Sequence, residues 1–119
     1  MLSLPPTVRI LLAREPADLR KGFDGLSHLV QSVLQEDPLF GHLFVFRNRR
    51  GDWVKLLLWD TDGFLILYKR LERGTFRFPA PGEPEATSVS IKVADLIMLL
   101  DGVDLQSIKR LPRYVRESA

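Results

Sequence analysis

The chain of 119 residues carries 17 Lys plus Arg, 15 Asp plus Glu, two His and no Cys, a formal net charge of +2. That length suits one domain, since single cores usually organise roughly 100–200 residues, and 45% hydrophobic with 27% charged residues excludes wholesale disorder. The absence of cysteine excludes a disulfide scaffold, thiolate metal sites and a thiol nucleophile.

The opening stretch has a short apolar run broken by Pro5 and Pro6 and does not read as a signal peptide. Thr7–Leu12 alternates weakly and predicts a first strand, ended by Arg14-Glu15-Pro16. Phe23, Leu26, Leu29, Val30, Val33 and Leu34 then recur at helical spacing and make one continuous apolar stripe. Pro38 and Gly41 stop that helix. Leu43–Arg47, Trp53–Trp59 and Phe64–Arg70 are short β-type runs separated by turn signals. The turns are Asn48–Asp52 and Asp60–Gly63, with glycine expected at the positive-φ positions.

Thr75–Phe78 is a candidate fourth strand, and Ser88–Ile91 a further short one. A second helix over about Lys92–Leu100 is expected to end at Gly102, where a C-terminal cap belongs. The expected fold is α+β: an antiparallel sheet built on a three- to four-stranded meander, joined by hairpins and packed against two helices. Residues 1–108 form the expected domain, and 109–119 a loose basic tail.

No apolar run approaches the ~20 residues of a membrane span, so the expected location is the cytoplasm. Charge is distributed unevenly. Residues 44–77 hold eight basic side chains (Arg47, Arg49, Arg50, Lys55, Lys69, Arg70, Arg73 and Arg77) against four acidic ones. Residues 78–108 hold Lys92 against five carboxylates, and the segment beyond is basic again. A basic middle suits either a polyanionic partner or plain solubility.

If Trp59 pairs with Phe64 across the second turn, then Leu57–Ile66, Lys55–Tyr68 and Trp53–Arg70 share one face. Closure of the first turn with Arg47 opposite Trp53 would put Phe44 and Phe46 on the other, apolar face with Val54, Leu56 and Leu58. The first face then gathers Arg47, Trp53, Lys55, Tyr68 and Arg70, with Arg49, Arg50 and Arg73 beside it. Guanidinium groups for phosphate, interleaved with flat rings for bases, are what nucleic-acid binding uses. A one-residue slip would exchange the faces.

The sequence makes no case for catalysis. Asp60 and Asp62 could suggest a magnesium site, but Asp-Thr-Asp-Gly is also an ordinary turn. Asp52 with Lys55 lacks the second acid of a nuclease strand. His28 and His42 have no partner pattern, and Ser27, Ser32 and Ser88 have no nucleophile-elbow context. Gly22-Phe23-Asp24-Gly25 lacks the third glycine and preceding buried strand of a phosphate loop. No metal, cofactor or small-molecule substrate is expected.

The run Arg20-Lys21-Gly22-Phe23-Asp24-Gly25-Leu26, the block from Gly41 through Asp60, Tyr68–Phe76 and Leu99-Leu100-Asp101-Gly102 together resemble the TnpB-type accessory protein of the sixty-six group of bacterial insertion sequences. That protein is the element's second reading frame. The resemblance spans roughly residues 8–105 and implies a helper of transposition, encoded beside a separate transposase. Trp53 stands where a basic residue is expected, and Lys92 where a Ser or Thr cap is usual.

Two functions follow as expectations. The first is a non-catalytic accessory factor that binds DNA through Arg47, Arg49, Arg50, Trp53, Lys55, Tyr68, Lys69, Arg70, Arg73 and Arg77. The second is an interaction module that docks on the transposase or another protein of the element through Leu43, Leu57, Trp59, Phe64 and Ile66. A metal-dependent nuclease on Asp60 and Asp62 is a remote third.

Overall fold

The structure is a computed structural model, and it describes residues 8–104 and 109–116. In chain order the elements are β1 (Ile10–Ala13), α1 (Phe23–Ser32), β2 (Leu43–Arg47), β3 (Trp53–Asp60), β4 (Gly63–Arg70), β5 (Ser88–Ile91), α2 (Val93–Leu100), β6 (Val103–Asp104) and β7 (Lys109–Arg110). The first five strands form one sheet in the order β4-β3-β2-β1-β5, and β6 pairs with β7. The fold is α+β, as its sequence pattern predicts.

One expectation needs correction: the sheet is not wholly antiparallel. β1 and β2 run parallel, with Leu11 beside Phe44, so α1 is a crossover and not a bridge between hairpins. The physical reason lies in their composition. All of Ile10–Ala13 and Leu43–Phe46 are buried, and parallel strands covered on both faces are near-continuous apolar runs instead of alternating ones.

Arg47 pairs with Val54, not with Trp53, so Phe46 lies opposite Lys55 and Phe44 opposite Leu57. The β2–β3 loop closes through the Asn48 N–H, which donates to the Trp53 carbonyl at 3.1 Å. Phe44 and Phe46 therefore share the face of Leu57, not that of Val54.

Among the described residues, each face of the sheet receives one helix. On one side Leu26 and Val30 of α1 and the following Leu34 pack on Leu11, Phe44, Phe46 and Leu57. On the other, Leu96 and Leu99 of α2 pack with Leu71 and Phe76 on Ile10, Leu12, Val45, Val54 and Leu56. Complete burial of a Phe or Leu contributes about 1.5–3 kcal/mol, and these two layers contain the whole described core. Thr75–Phe78 is not a strand; it crosses the β2–β3 turn, where the Phe76 N–H donates to the Gly51 carbonyl at 2.7 Å. Lys92 caps α2 with extended backbone, and Asp95 accepts its N–H at 3.3 Å.

Of the C-terminal segment, residues 109–116 are described and contact the rest of the fold, and 117–119 lie outside the described residues. β7 pairs with β6, and the Leu111 N–H donates to the Gly102 carbonyl at 2.7 Å. The Arg113 guanidinium lies 5.4 Å from the centre of the Phe76 ring and donates to the Thr75 carbonyl at 3.2 Å. Gly74, at φ +87°, makes this possible: a Cβ there would stand 2.0 Å from the Pro112 carbonyl oxygen.

Candidate nucleic-acid interface

The β3–β4 hairpin has the register its alternation predicts, with Trp53 opposite Arg70, Lys55 opposite Tyr68, and Trp59 opposite Phe64. Side chains therefore project from it in rows. At the end near α1's start, Trp53 and Tyr68 meet edge to face with ring centres 6.3 Å apart. Lys55 Nζ lies 5.4 Å from the Trp53 ring and 5.7 Å from that of Tyr68. It also donates to the Lys21 carbonyl at 2.9 Å, so its charge pins the chain entering α1. Tyr68 is 68% exposed, and Arg70 is exposed next to it.

Arg49 and Arg50 stand at the apex of the β2–β3 turn, both exposed. The turn is ordered by Asn48. Its side-chain oxygen accepts the Gly51 N–H at 3.0 Å and the Trp53 N–H at 3.1 Å, and its amide nitrogen donates to Asp52 at 2.7 Å. Gly51 takes φ +78°, a conformation glycine adopts without steric cost. Arg50 has a loose 4.0 Å ion pair with Asp52. The Asn48 hydrogen bonds thus order the base of the turn that carries both exposed arginines.

Two expected members fall on the opposite face. Arg47 donates to the Arg14 carbonyl at 2.9 Å and covers the Phe78 ring at 5.4 Å. Lys69 Nζ donates to the Leu100 carbonyl at 3.2 Å and so satisfies one open carbonyl at the C-terminal end of α2. Arg73 and Arg77 are exposed on the segment leaving β4.

A groove of about 330 Å³ opens there between Lys69, Arg70 and Arg73 on one side and Arg113 and Tyr114 on the other. Glu72 and Asp101 bring opposite charge to it. Arg113 and Tyr114 were missed by sequence reasoning. The positive-φ glycines 74 and 102 were the available signal that the chain passes close by.

The residues expected to dock a protein do not form one surface. Leu43 lies on the α2 face and is 2% exposed, while Leu57 is fully buried under α1. Trp59 stacks edge-on against Phe64 at 5.0 Å, and Phe64 and Ile66 pack against the α1 layer. The apolar end of that face is thus the seat of α1.

Elsewhere, Asp18 accepts from Arg20 through both oxygens, at 2.8 to 3.2 Å, and from its backbone N–H at 3.0 Å. Those bonds hold its carboxyl well below the usual carboxylate range, and the Arg20 guanidinium is raised in turn. Among the described residues, no three His, Asp or Glu groups converge as a metal site, and no helix is long and apolar enough to cross a membrane.

The fold and its surface define a small three-layer α+β domain with a cationic pole at one end of the sheet. Residues 8–110 match the IS66 Orf2-like protein family, and the chain belongs to it, as an accessory protein of that group of insertion sequences. It is 39% identical over 105 residues to the uncharacterized protein y4jC of Sinorhizobium fredii (strain NBRC 101917 / NGR234), covering 88% of this chain and 87% of that one. It is 40% identical over 104 residues to y4hO of the same strain, covering 87% and 88%. No solved structure matches.

Proposed function

We propose that this protein assists transposition as a non-catalytic factor that binds DNA through the pole made by the β2–β3 turn and the adjoining end of β4. The observation that carries the reading is the hairpin register, which sets Arg70 and Tyr68 beside Trp53 and Lys55, next to the exposed Arg49 and Arg50. Arg49, Arg50, Arg70, Arg73 and Arg77 supply phosphate contacts. Tyr68 offers a ring on which an unpaired base can stack, worth about 1–3 kcal/mol. Lys55 acts indirectly, by holding Lys21 and the two rings, and Arg47 and Lys69 serve the fold.

The test is binding of fluorescently labelled duplex and single-stranded DNA to the wild type and to an Arg49→Glu/Arg50→Glu variant. Both side chains are exposed, so the variant keeps its circular dichroism spectrum. The expected result is loss of at least tenfold in affinity. Equal binding by the two proteins, or no binding by either at low salt, refutes the proposal.

A further inference from the structure

The sheet has two edges of different character. β5 is four residues long, whereas β4 runs eight residues, from Gly63 to Arg70, and among the described residues β3 is its one neighbour. A long edge presents backbone N–H and C=O groups to any strand that approaches, and chains ordinarily blunt it with central charges, proline or a bulge. β4 carries none of these. Its centre is Phe64-Leu65-Ile66-Leu67, and it pairs residue for residue with β3. Leu65 and Leu67 are 39% and 54% exposed on the α2 side of the sheet, where their partners Leu58 and Leu56 lie.

The charges around this edge sit at its ends and differ in sign. Asp60 and Asp62 flank the hairpin tip, and Lys69 and Arg70 close the strand. An antiparallel copy of the same strand brings its basic end to the acidic end of the first. A two-fold axis perpendicular to the sheet maps each face onto itself, so directly opposed residues must both be odd-numbered or both even. Centring the axis on Ile66 satisfies that condition. Leu65 then faces Leu67 of the second copy, Phe64 faces Tyr68, and Asp62, in the turn just before the strand, comes level with Arg70.

We propose that β4 pairs with β4 of a second copy of this chain, antiparallel about a two-fold axis at Ile66, joining two five-stranded sheets into one. The pairing leaves the Arg49–Arg50 turn open, because that turn lies between β2 and β3, one strand in from the edge, whereas Tyr68 and Arg70 join the pairing and in the dimer are shared with it. The two cationic poles stand at opposite ends of the joined sheet. Self-association does not require DNA.

Sedimentation equilibrium of the full chain over about 1–100 µM tests this. The expected mass approaches twice the chain's 13.6 kDa at the upper end. A Leu65→Lys/Leu67→Lys variant, folded by circular dichroism, stays at the single-chain mass, because lysines would directly oppose one another at the centre of the pairing. Asp62→Arg alone weakens the dimer about tenfold by placing like charges opposite, and adding Arg70→Asp restores it. A single-chain mass for the wild type throughout overturns the proposal. So does a dimer that survives the lysine pair, or a charge exchange that restores nothing.

Discussion

Replacing Gly74 by Ala tests how firmly the C-terminal segment is joined to the sheet. Gly74 adopts φ +87°, and its missing Cβ would lie 2.0 Å from the Pro112 carbonyl oxygen. That neighbour is backbone and cannot swing aside, so the segment carrying Arg113 must lift. The left-handed conformation alone costs alanine about 1–2 kcal/mol. Lifting the segment also forfeits the Arg113–Thr75 hydrogen bond, about 1 kcal/mol, and the guanidinium over Phe76, about 0.5–2 kcal/mol. The expected loss is about 3–4 kcal/mol in urea unfolding, with faster tryptic cleavage after Arg113. Gly82→Ala is the control, since Gly82 has open space around it and ordinary φ, and it should change stability by less than about 0.5 kcal/mol. A Gly74→Ala protein as stable as that control would refute the docking of the segment.

Asn48→Ala removes three hydrogen bonds from the base of the arginine turn and should cost about 2–3 kcal/mol, read by thermal unfolding. Thr61→Gly should stabilise the protein by about 1 kcal/mol, since Thr61 is a β-branched residue held at φ +56° at the hairpin tip; no gain in urea midpoint would contradict that. The Asp18 carboxyl, lowered by its Arg20 hydrogen bonds, should still be ionised at about pH 3 in a carbon-detected titration. Because its folded value lies below the ordinary one, its stabilisation is present above about pH 4 and is lost only as pH falls further. In Arg20→Ala the same resonance should titrate in the ordinary carboxylate range.

Much of this architecture was written locally. β2 and β5 have the expected limits, and the β3–β4 register follows from a two-residue tip and an alternation that admits one pairing. The face assignment of β2 did not follow. Leu43-Phe44-Val45-Phe46 is apolar on both sides, so nothing in it says which side meets α1, and the longer Asn48–Asp52 connection allows more than one closure. The parallel β1–β2 pair was hidden for a related reason: it depends on a helix crossing between distant segments, and only the doubly buried runs hinted at it.

The site was partly legible on the same terms. Trp53, Lys55, Tyr68 and Arg70 come together because they share one hairpin. Arg47 and Lys69 are separated from them by the same alternation that joined the others, and both are engaged with backbone carbonyls. Arg113 and Tyr114 reach the groove through a contact between residues far apart in sequence, which no periodicity encodes. Glycine at 63 was expected to supply the hairpin's positive φ, but Thr61 does so.

The proposed role of the arginine turn and the end of β4 is to bind phosphate. Its most direct measurement is the affinity for duplex DNA as salt rises over about 50–300 mM. Four to five exposed arginines reaching phosphate, Arg70 counting only where it does not face Asp62 of a second copy, predict a slope of log affinity against log salt of about −3.5 to −4.5, falling to about −2 to −3 in Arg49→Glu/Arg50→Glu. A slope near zero, or one that the two substitutions leave unchanged, would show that these arginines do not bind phosphate.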